Sequence, residues 1–310
     1  MFDVTVVIPL YNKEHYIKRA VQSVLSQTIQ TFEIVIIDDG STDNSYNKVA
    51  EIGDPRIRVI QQKNAGASAA RNRGIEEAKT DLIAFLDADD EWKPTFLETV
   101  FRLIEKYPEA GAYATAYQII LKNGRKITPI IESIPKTPWE GLIRQYSKCV
   151  LRDLPVISSG VIVPKKTFEK VGLFAINHHH GEDQDMWFRI SIHDHIAYSH
   201  TNQVTYYRGL PNSMCTILYT PQPYPIIETI KNIIESKEVV ASSELKEYLV
   251  KLELDYADRL IKTNRFKEGL SLVKGISTKR YKVKKLNIFL LYLKQKLLKA
   301  LGRDIQMTQK

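Results

Sequence analysis

Glu33-Ile34-Val35-Ile36-Ile37-Asp38-Asp39-Gly40-Ser41-Thr42-Asp43 decides the fold class of this 310-residue chain. A continuous β-branched run reads as a strand covered on both faces. The acidic stretch after it is built from turn formers and helix N-caps that cannot extend a strand. Upstream, Val4 to Ile8 repeats the apolar run, and Ile17, Ala20, Val21, Val24, Leu25 and Thr28 then share one predicted helical face. Downstream, Arg56 to Ile60 predicts a third strand, and Asn64-Ala65-Gly66 leads into a small-residue helix through Ala78. Leu82 to Leu86 predicts a fourth strand ending in Asp87-Ala88-Asp89-Asp90, and Pro94 opens a helix with Leu97, Val100, Phe101 and Ile104 inward. Strands alternating with helices predict a parallel, open α/β sheet.

After Ala110 the rhythm changes. Ala112 to Leu121 and Lys126 to Ile131 flank Asn123-Gly124, a hairpin signal. Val161 to Pro164 and Val204 to Arg208 read as strands, Thr167 to Val171 and Asp183 to Ile192 as helices. Beyond about Thr220 the period is helical only, over Ile226 to Ser236, Leu245 to Lys262, Phe266 to Val273 and Val283 to Leu301. The expected organisation is an α/β domain over 1–220, with halves of about 1–110 and 111–220, and a helical region over 221–310 with a basic amphipathic tail.

A composition of 44% hydrophobic and 26% charged residues excludes disorder and fibrous repeats. A chain of this size buries roughly three-quarters of its unfolded surface, so its core needs no disulfide or structural metal. Cys149 and Cys215 lack any CxxC or Cys/His ligand spacing and read as buried thiols in a reducing compartment, with the cytosol as the expected location. No basic-then-apolar leader precedes Val4, and no apolar stretch approaches the roughly 20 residues a membrane span needs. The net charge of +8 is local: Lys279, Arg280, Lys282, Lys284, Lys285, Lys294, Lys296, Lys299 and Arg303 fall in a 25-residue span that holds no acidic residue, and removing them leaves the rest nearly neutral.

In an open α/β sheet, ligands bind outside the carboxyl ends of the strands. Asp38 and Asp39 end one predicted strand, and Asp87, Asp89 and Asp90 follow another, so several carboxylates share one edge. Clustered like charges are costly unless a cation, a donor-rich ligand or solvent accepts them. Asp87-x-Asp89 suits Mg or Mn, held by one or two carboxylates with positions left for substrate phosphates. No GxGxxG follows a strand and no GxxxxGK[ST] exists, which excludes a dinucleotide fold and a P-loop. Phosphate is then left to a metal and to Arg or Lys.

Val6-Val7-Ile8-Pro9-Leu10-Tyr11-Asn12, Ile36 to Asp43, Asn64-Ala65-Gly66 with Ala70-Arg71-Asn72, Phe85 to Asp90, Phe168 to Phe174 and Gly181-Glu182-Asp183-Gln184-Asp185-Met186-Trp187 resemble, in order and spacing, the motifs of family 2 inverting glycosyltransferases of GT-A fold. The resemblance covers roughly Val4 to Ser213. It implies a Rossmann-like open mixed sheet, a nucleotide-sugar donor (a UDP-sugar), a glycan or lipid-linked saccharide acceptor, and a divalent cation, Mn or Mg. It places Pro9, Tyr11 and Asp39 at the nucleotide's base and ribose, with Asp38 supporting their loop. Arg71 goes to the nucleotide side, Asp87 to ribose or metal-bound water, and Asp89 to the ion bridging the diphosphate. Asp183 matches the general base, with Glu182 orienting its loop and Asp185 as the alternative base. Outside that context, Asp183 reads as an acid at a helix N-terminus.

The sequence also departs from the pattern. Tyr207-Arg208-Gly209-Leu210-Pro211-Asn212-Ser213 has Leu210 where many relatives carry histidine, which puts a metal or diphosphate contact in doubt. His200 is a substitute ligand or a structural residue, and His178-His179-His180 reads as a solvated or substrate-facing loop. Trp139 and Trp187 are candidates for stacking on sugar, although Trp187 has core spacing with Ile190. The competing functions are a catalytically inactive homologue acting as a binding or scaffold protein, and a sugar-phosphate nucleotidyltransferase, whose glycine-rich basic loop is absent. Nucleic-acid binding is not expected of a tail that is mostly Lys without interleaved aromatics. An anionic membrane surface engaged through 279–303 is the expected partner of that tail, putting the enzyme in the cytoplasm or on the inner face of the plasma membrane.

Overall fold

The computed structural model describes residues 3–210, 221–236 and 241–300. The chain divides into two compact units, Met1–Ile217 and Leu218–Lys310.

The first unit begins with β1 (Val4–Leu10), α1 (Ile17–Leu25), β2 (Phe32–Asp38), α2 (Ser45–Ala50), β3 (Ile57–Gln61), α3 (Ala67–Glu77) and β4 (Leu82–Phe85). It continues with β5 (Glu91–Trp92), α4 (Phe96–Lys106), β6 (Ala112–Leu121), β7 (Lys126–Ile127), β8 (Glu140–Ile143) and α5 (Tyr146–Cys149). A 3-10 turn over Ser158–Gly160 leads to β9 (Val161–Pro164), α6 (Lys165–Val171), α7 (Glu182–His193) and β10 (Ile196–Arg208). The strand order is β3-β2-β1-β4-β9-β6-β10-β5, with β7 on β6 and β8 on β10. β3, β2, β1 and β4 are mutually parallel. β9 then runs antiparallel between β4 and β6, so the sheet is mixed where simple alternation predicts all-parallel strands.

β1 is central because both faces of its apolar run are covered. Val4, Val6, Ile8 and Leu10 join Ile34 and Ile36 in the main core with α1 and α4. Val35 and Ile37 face Ala70 on the other side. There Gly74 meets the sheet: a Cβ on it would lie 2.2 Å from Val7 Cγ1, so only glycine lets α3 sit at this depth. Pro9 pairs with Ile37 of β2, but the β4 pairing stops at Val7, so its missing N–H costs no bond on that side.

Several expectations shift. Thr28 is exposed and lies outside α1, which stops at Leu25; its neighbour Gln27 turns inward instead, donating to Ser23 O and Lys93 O and accepting from Leu97 N. Pro94 precedes α4 by two residues because Glu91–Trp92 first pairs with β10. The hairpin at Asn123-Gly124 forms, but β7 ends at Ile127, two residues before Pro129. β10 begins at Ile196, eight residues before Val204, and register shifts between Ser199 and Val204 hide its period.

The second unit is helical: α8 (Pro225–Ser236), α9 (Ser243–Lys262), α10 (Phe266–Gly275) and α11 (Lys282–Ala300). The Ser242 hydroxyl caps α9 by accepting from Leu245 N. Leu254, Ala257 and Ile261 of α9 pack with Val273, Ile276 and Ile288. Cys149 is buried, while Cys215, Leu301 and Arg303 lie outside the described residues. Among the described residues no helix is long and apolar enough to cross a membrane.

Candidate active site

The carboxyl ends of β2, β1 and β4 lie side by side, which brings both predicted acidic clusters to one edge. Asp38, at the end of β2, accepts from Ser41 N at 3.0 Å and Gln61 Nε2 at 3.2 Å and so folds its own loop. Asp39 is also buried. Its Oδ1 accepts from Gln62 Nε2 at 2.7 Å and Ala65 N at 2.9 Å, and its Oδ2 from Gly66 N at 2.8 Å. One carboxylate thereby fixes Asn64-Ala65-Gly66 at the start of α3. Asn12 closes the β1 side by accepting from Thr42 N at 2.8 Å. Pro9 is half-buried, and the Tyr11 ring is 45% exposed on this wall.

After β4, each of three neighbouring acids has a different set of partners. Asp87 Oδ1 accepts from Arg71 Nη2 at 2.9 Å. Asp89 Oδ2 pairs with Lys13 Nζ at 2.7 Å, and its backbone carbonyl accepts from Arg19 Nη2 at 2.5 Å. Asp90 is fully buried, taking hydrogen bonds from Ser159 Oγ at 2.5 Å and Tyr207 N at 3.0 Å. Burial, and then the charges of Asp89 and Asp87, push its pKa well above the usual carboxylate range. Ser159 Oγ also accepts from Asp87 N at 3.1 Å, and Ser159 O accepts from Trp92 Nε1 at 2.6 Å, so one small residue supports both Asp87 and Asp90.

Arg71 joins the two halves of the site. It is buried in α3, with Nη2 on Asp87 and Nη1 3.1 Å from Glu182 Oε1, the first residue of α7. Burial pulls its pKa down, but Asp87 and Glu182 more than reverse this and keep it charged. Gly181 before it has φ +81°, the left-handed region, and so turns the chain into α7. Asp183 follows on the first turn and accepts from Gln184 N at 2.7 Å. Burial and the charge of Glu182 raise its pKa to about 7, with Arg71 opposing. An acid titrating near neutrality beside a fixed cation suits proton transfer at neutral pH.

Asp185, the alternative base, is bound at 2.8 Å by Arg189, which also holds Val171 O and Leu173 O; this is a structural tie. Arg71, expected on the nucleotide side, has both terminal nitrogens on carboxylates of the protein. His200 N and Nδ1 bind Trp139 O and Pro135 O, a structural placement. His178 and His180 are half-buried and only His179 is exposed, unlike a wholly solvated loop. Trp187 is fully buried against Phe85 and Phe174, so it is core. Trp139 is half-buried, over Gly141. Leu210 is half-buried and has no ligating atom; Pro211, Asn212 and Ser213 lie outside the described residues. Lys13, Arg19 and Ser159 escaped the sequence reading. Their only signals are a lysine two residues after Tyr11, an arginine among the apolar positions of α1, and the Ser158-Ser159-Gly160 run before β9.

Among the described residues no group of three His, Cys, Asp or Glu side chains is placed to hold a metal ion by itself. Asp89 is chemically the kind of oxygen donor that a hard divalent cation takes. Lys13 stands on that carboxylate.

A protein-family model described as Glycosyl transferase family 2 matches residues 5–161. Glycosyltransferase GlyA of Streptococcus pneumoniae serotype 4 is 40% identical over 123 residues, 39% of this chain and 18% of that protein. The Escherichia coli UDP-Glc:alpha-D-GlcNAc-diphosphoundecaprenol beta-1,3-glucosyltransferase WfgD is 32% identical over 191 residues, 60% of this chain and 69% of that one. The chain spans less than a third of the length of several other such relatives. Among solved structures, S. aureus TarS in complex with UDP-GlcNAc superimposes with a TM-score of 0.64 at 16% identity, over 98% of this chain and 93% of that one.

Proposed function

The chain belongs to glycosyl transferase family 2 and has the GT-A fold, and from that premise we propose an inverting, divalent-cation-dependent transfer from a UDP-sugar to an acceptor hydroxyl in glycan or surface-polysaccharide assembly. One observation carries the reading: the buried Arg71 bridge between Asp87 and Glu182, which fixes Asp183 beside the strand ends with its pKa raised to about 7.

In this reading Pro9, Tyr11 and Asp39 form the wall for the nucleoside, Asp87 meets the ribose, and Glu182 orients the α7 turn. Asp89 would hold the divalent cation, which when bound offsets charge on the departing diphosphate. The acceptor oxygen attacks the anomeric carbon from the face opposite the leaving group. The new C–O bond forms as the sugar–phosphate bond breaks, and the electron pair leaves on the nucleoside diphosphate. The hydroxyl proton passes to the Asp183 carboxylate, a step typically worth about 10² to 10⁴-fold. No protein nucleophile is needed, and the anomeric centre inverts.

The UDP-Glc and undecaprenol-linked acceptor named for WfgD, and the UDP-GlcNAc bound to TarS, support a hexosyl- or N-acetylhexosaminyl donor and a lipid-linked acceptor. The first unit carries the transfer chemistry. The test is a screen of UDP-sugars with purified protein and Mn, reading released UDP. Release from one donor, lost in Asp183→Asn, supports the reading. UDP binding without release from any donor, with or without acceptor lipids, would instead make the chain an inactive, binding homologue.

A further inference from the structure

α11 carries two apolar faces where a helix in a soluble unit needs one. Ile288, Leu291 and Tyr292 face the α9–α10 core, and Gln295 is buried in line with them. Val283, Leu286, Leu290, Leu293 and Leu297 are 45–72% exposed. At about 100° per residue these five lie together on the side opposite Ile288 and Gln295. They form a continuous apolar stripe that the fold of this unit leaves in water. Lys282 and Lys296 run along one flank of the stripe and Lys294 along the other, all exposed.

The remaining basic side chains are divided by the structure. Lys284 is used internally, 2.6 Å from Asp255. Lys285 donates to Ile276 O at 2.5 Å. It helps line an open depression of about 440 Å³ with Lys282, Val273, Leu286 and Phe289, whose walls are mostly apolar with lysines among them. No acidic residue occurs between Lys279 and Ala300.

We propose that this outward stripe of α11 docks on an anionic lipid bilayer surface, with the leucines entering the headgroup–acyl boundary and the flanking lysines meeting lipid phosphates. Charge decides among occupants. A second copy packed through the same stripe would set lysines against lysines, and the stripe has no acid to relieve them. A nucleic acid would satisfy the lysines and leave the leucines in water. An anionic leaflet satisfies both, by apolar burial at the centre and attraction at the margins. The surface is an interaction site separate from the transfer chemistry, and its failure would leave that chemistry standing.

The experiment is flotation of the full chain with zwitterionic vesicles and with vesicles containing a third of phosphatidylglycerol, at low and high salt. The comparison variant is Leu286→Ser/Leu290→Ser/Leu293→Ser, whose three sites are solvent-facing and outside the core. Its circular dichroism and its UDP release in solution serve as controls for folding and for the active site. Wild-type protein is expected to float with the anionic vesicles and the serine variant to partition about tenfold or more weakly. A Lys282→Gln/Lys294→Gln/Lys296→Gln variant is expected to lose binding to anionic vesicles and the salt dependence together. Equal flotation of the wild-type and serine proteins overturns the proposal. So does a lipid-free wild-type dimer that the serine variant converts to monomer, which would assign the stripe to a second copy.

Discussion

Lys13 Nζ lies 2.7 Å from Asp89 Oδ2, with both side chains nearly out of solvent. The carboxylate proposed for a divalent cation thus already has a cation, supplied from the loop after β1. A metal ion bound there would compete with the ammonium for the same oxygen, and a donor's diphosphate would offer Lys13 another anion. Lys13→Met should therefore tighten Mn binding to the nucleotide-free protein by about three- to tenfold, the scale of a part-buried ion pair. UDP binding should weaken in the same variant. Calorimetry with Mn alone and then with UDP checks both directions, and unchanged Mn affinity would remove Lys13 from the site.

Asp183→Asn should keep UDP binding and lose about 10² to 10⁴-fold in turnover, since the base acts on the acceptor and not on the nucleotide. Asp185→Asn should behave differently, lowering thermal stability through loss of the Arg189 tie while keeping most of the turnover. Steady-state kinetics beside thermal melts separates the two.

The pKa of Asp183 near 7 sets a pH limb. The base works only when ionised, so kcat/KM should rise with pH to a plateau above about 7. Glu182→Gln removes a charge that raises this pKa and should move the limb to lower pH, whereas Arg71→Met removes the opposing cation and should move it higher. Stability has the opposite slope. The folded protein keeps this proton up to about 7 while the unfolded chain releases it near 4, so the contribution is full below about 4 and is lost as pH rises through 7. Denaturant melts on wild type and Asp183→Asn across that window check the sign.

Ser159→Ala should cost about 1–3 kcal/mol, because the buried Asp90 carboxyl and Asp87 N lose a shared partner. Activity should fall with it, since Asp87 is the anchor for Arg71. Urea titration gives the first figure and UDP release the second. A stability loss without any change in kinetics would confine Ser159 to the core.

The strands with long apolar runs and turn residues at their ends were legible in the sequence. β1, β2 and β4 announce themselves, and with them the edge on which the acids gather. Other elements were not, among them β5, two residues long, and β8, whose Glu140-Gly141-Leu142-Ile143 has no β-branched run; each is made by its pairing with β10. The acids of the site could be named from their motifs, but not their partners. Arg71 meets Glu182 across 111 positions of chain, and Lys13 meets Asp89 across 76, contacts that no local pattern encodes. The Ser159 tie is hidden for the same reason.

Gly74 and Arg71 stand three positions apart on the buried side of α3. The close approach of the helix to Val7 therefore limits how deep the guanidinium sits between its two acids, beside the attraction of the charges. Ionic strength screens charges and leaves atomic radii unchanged, so this limit should hold in concentrated salt. Adding one methyl group at position 74 would shift it in any buffer.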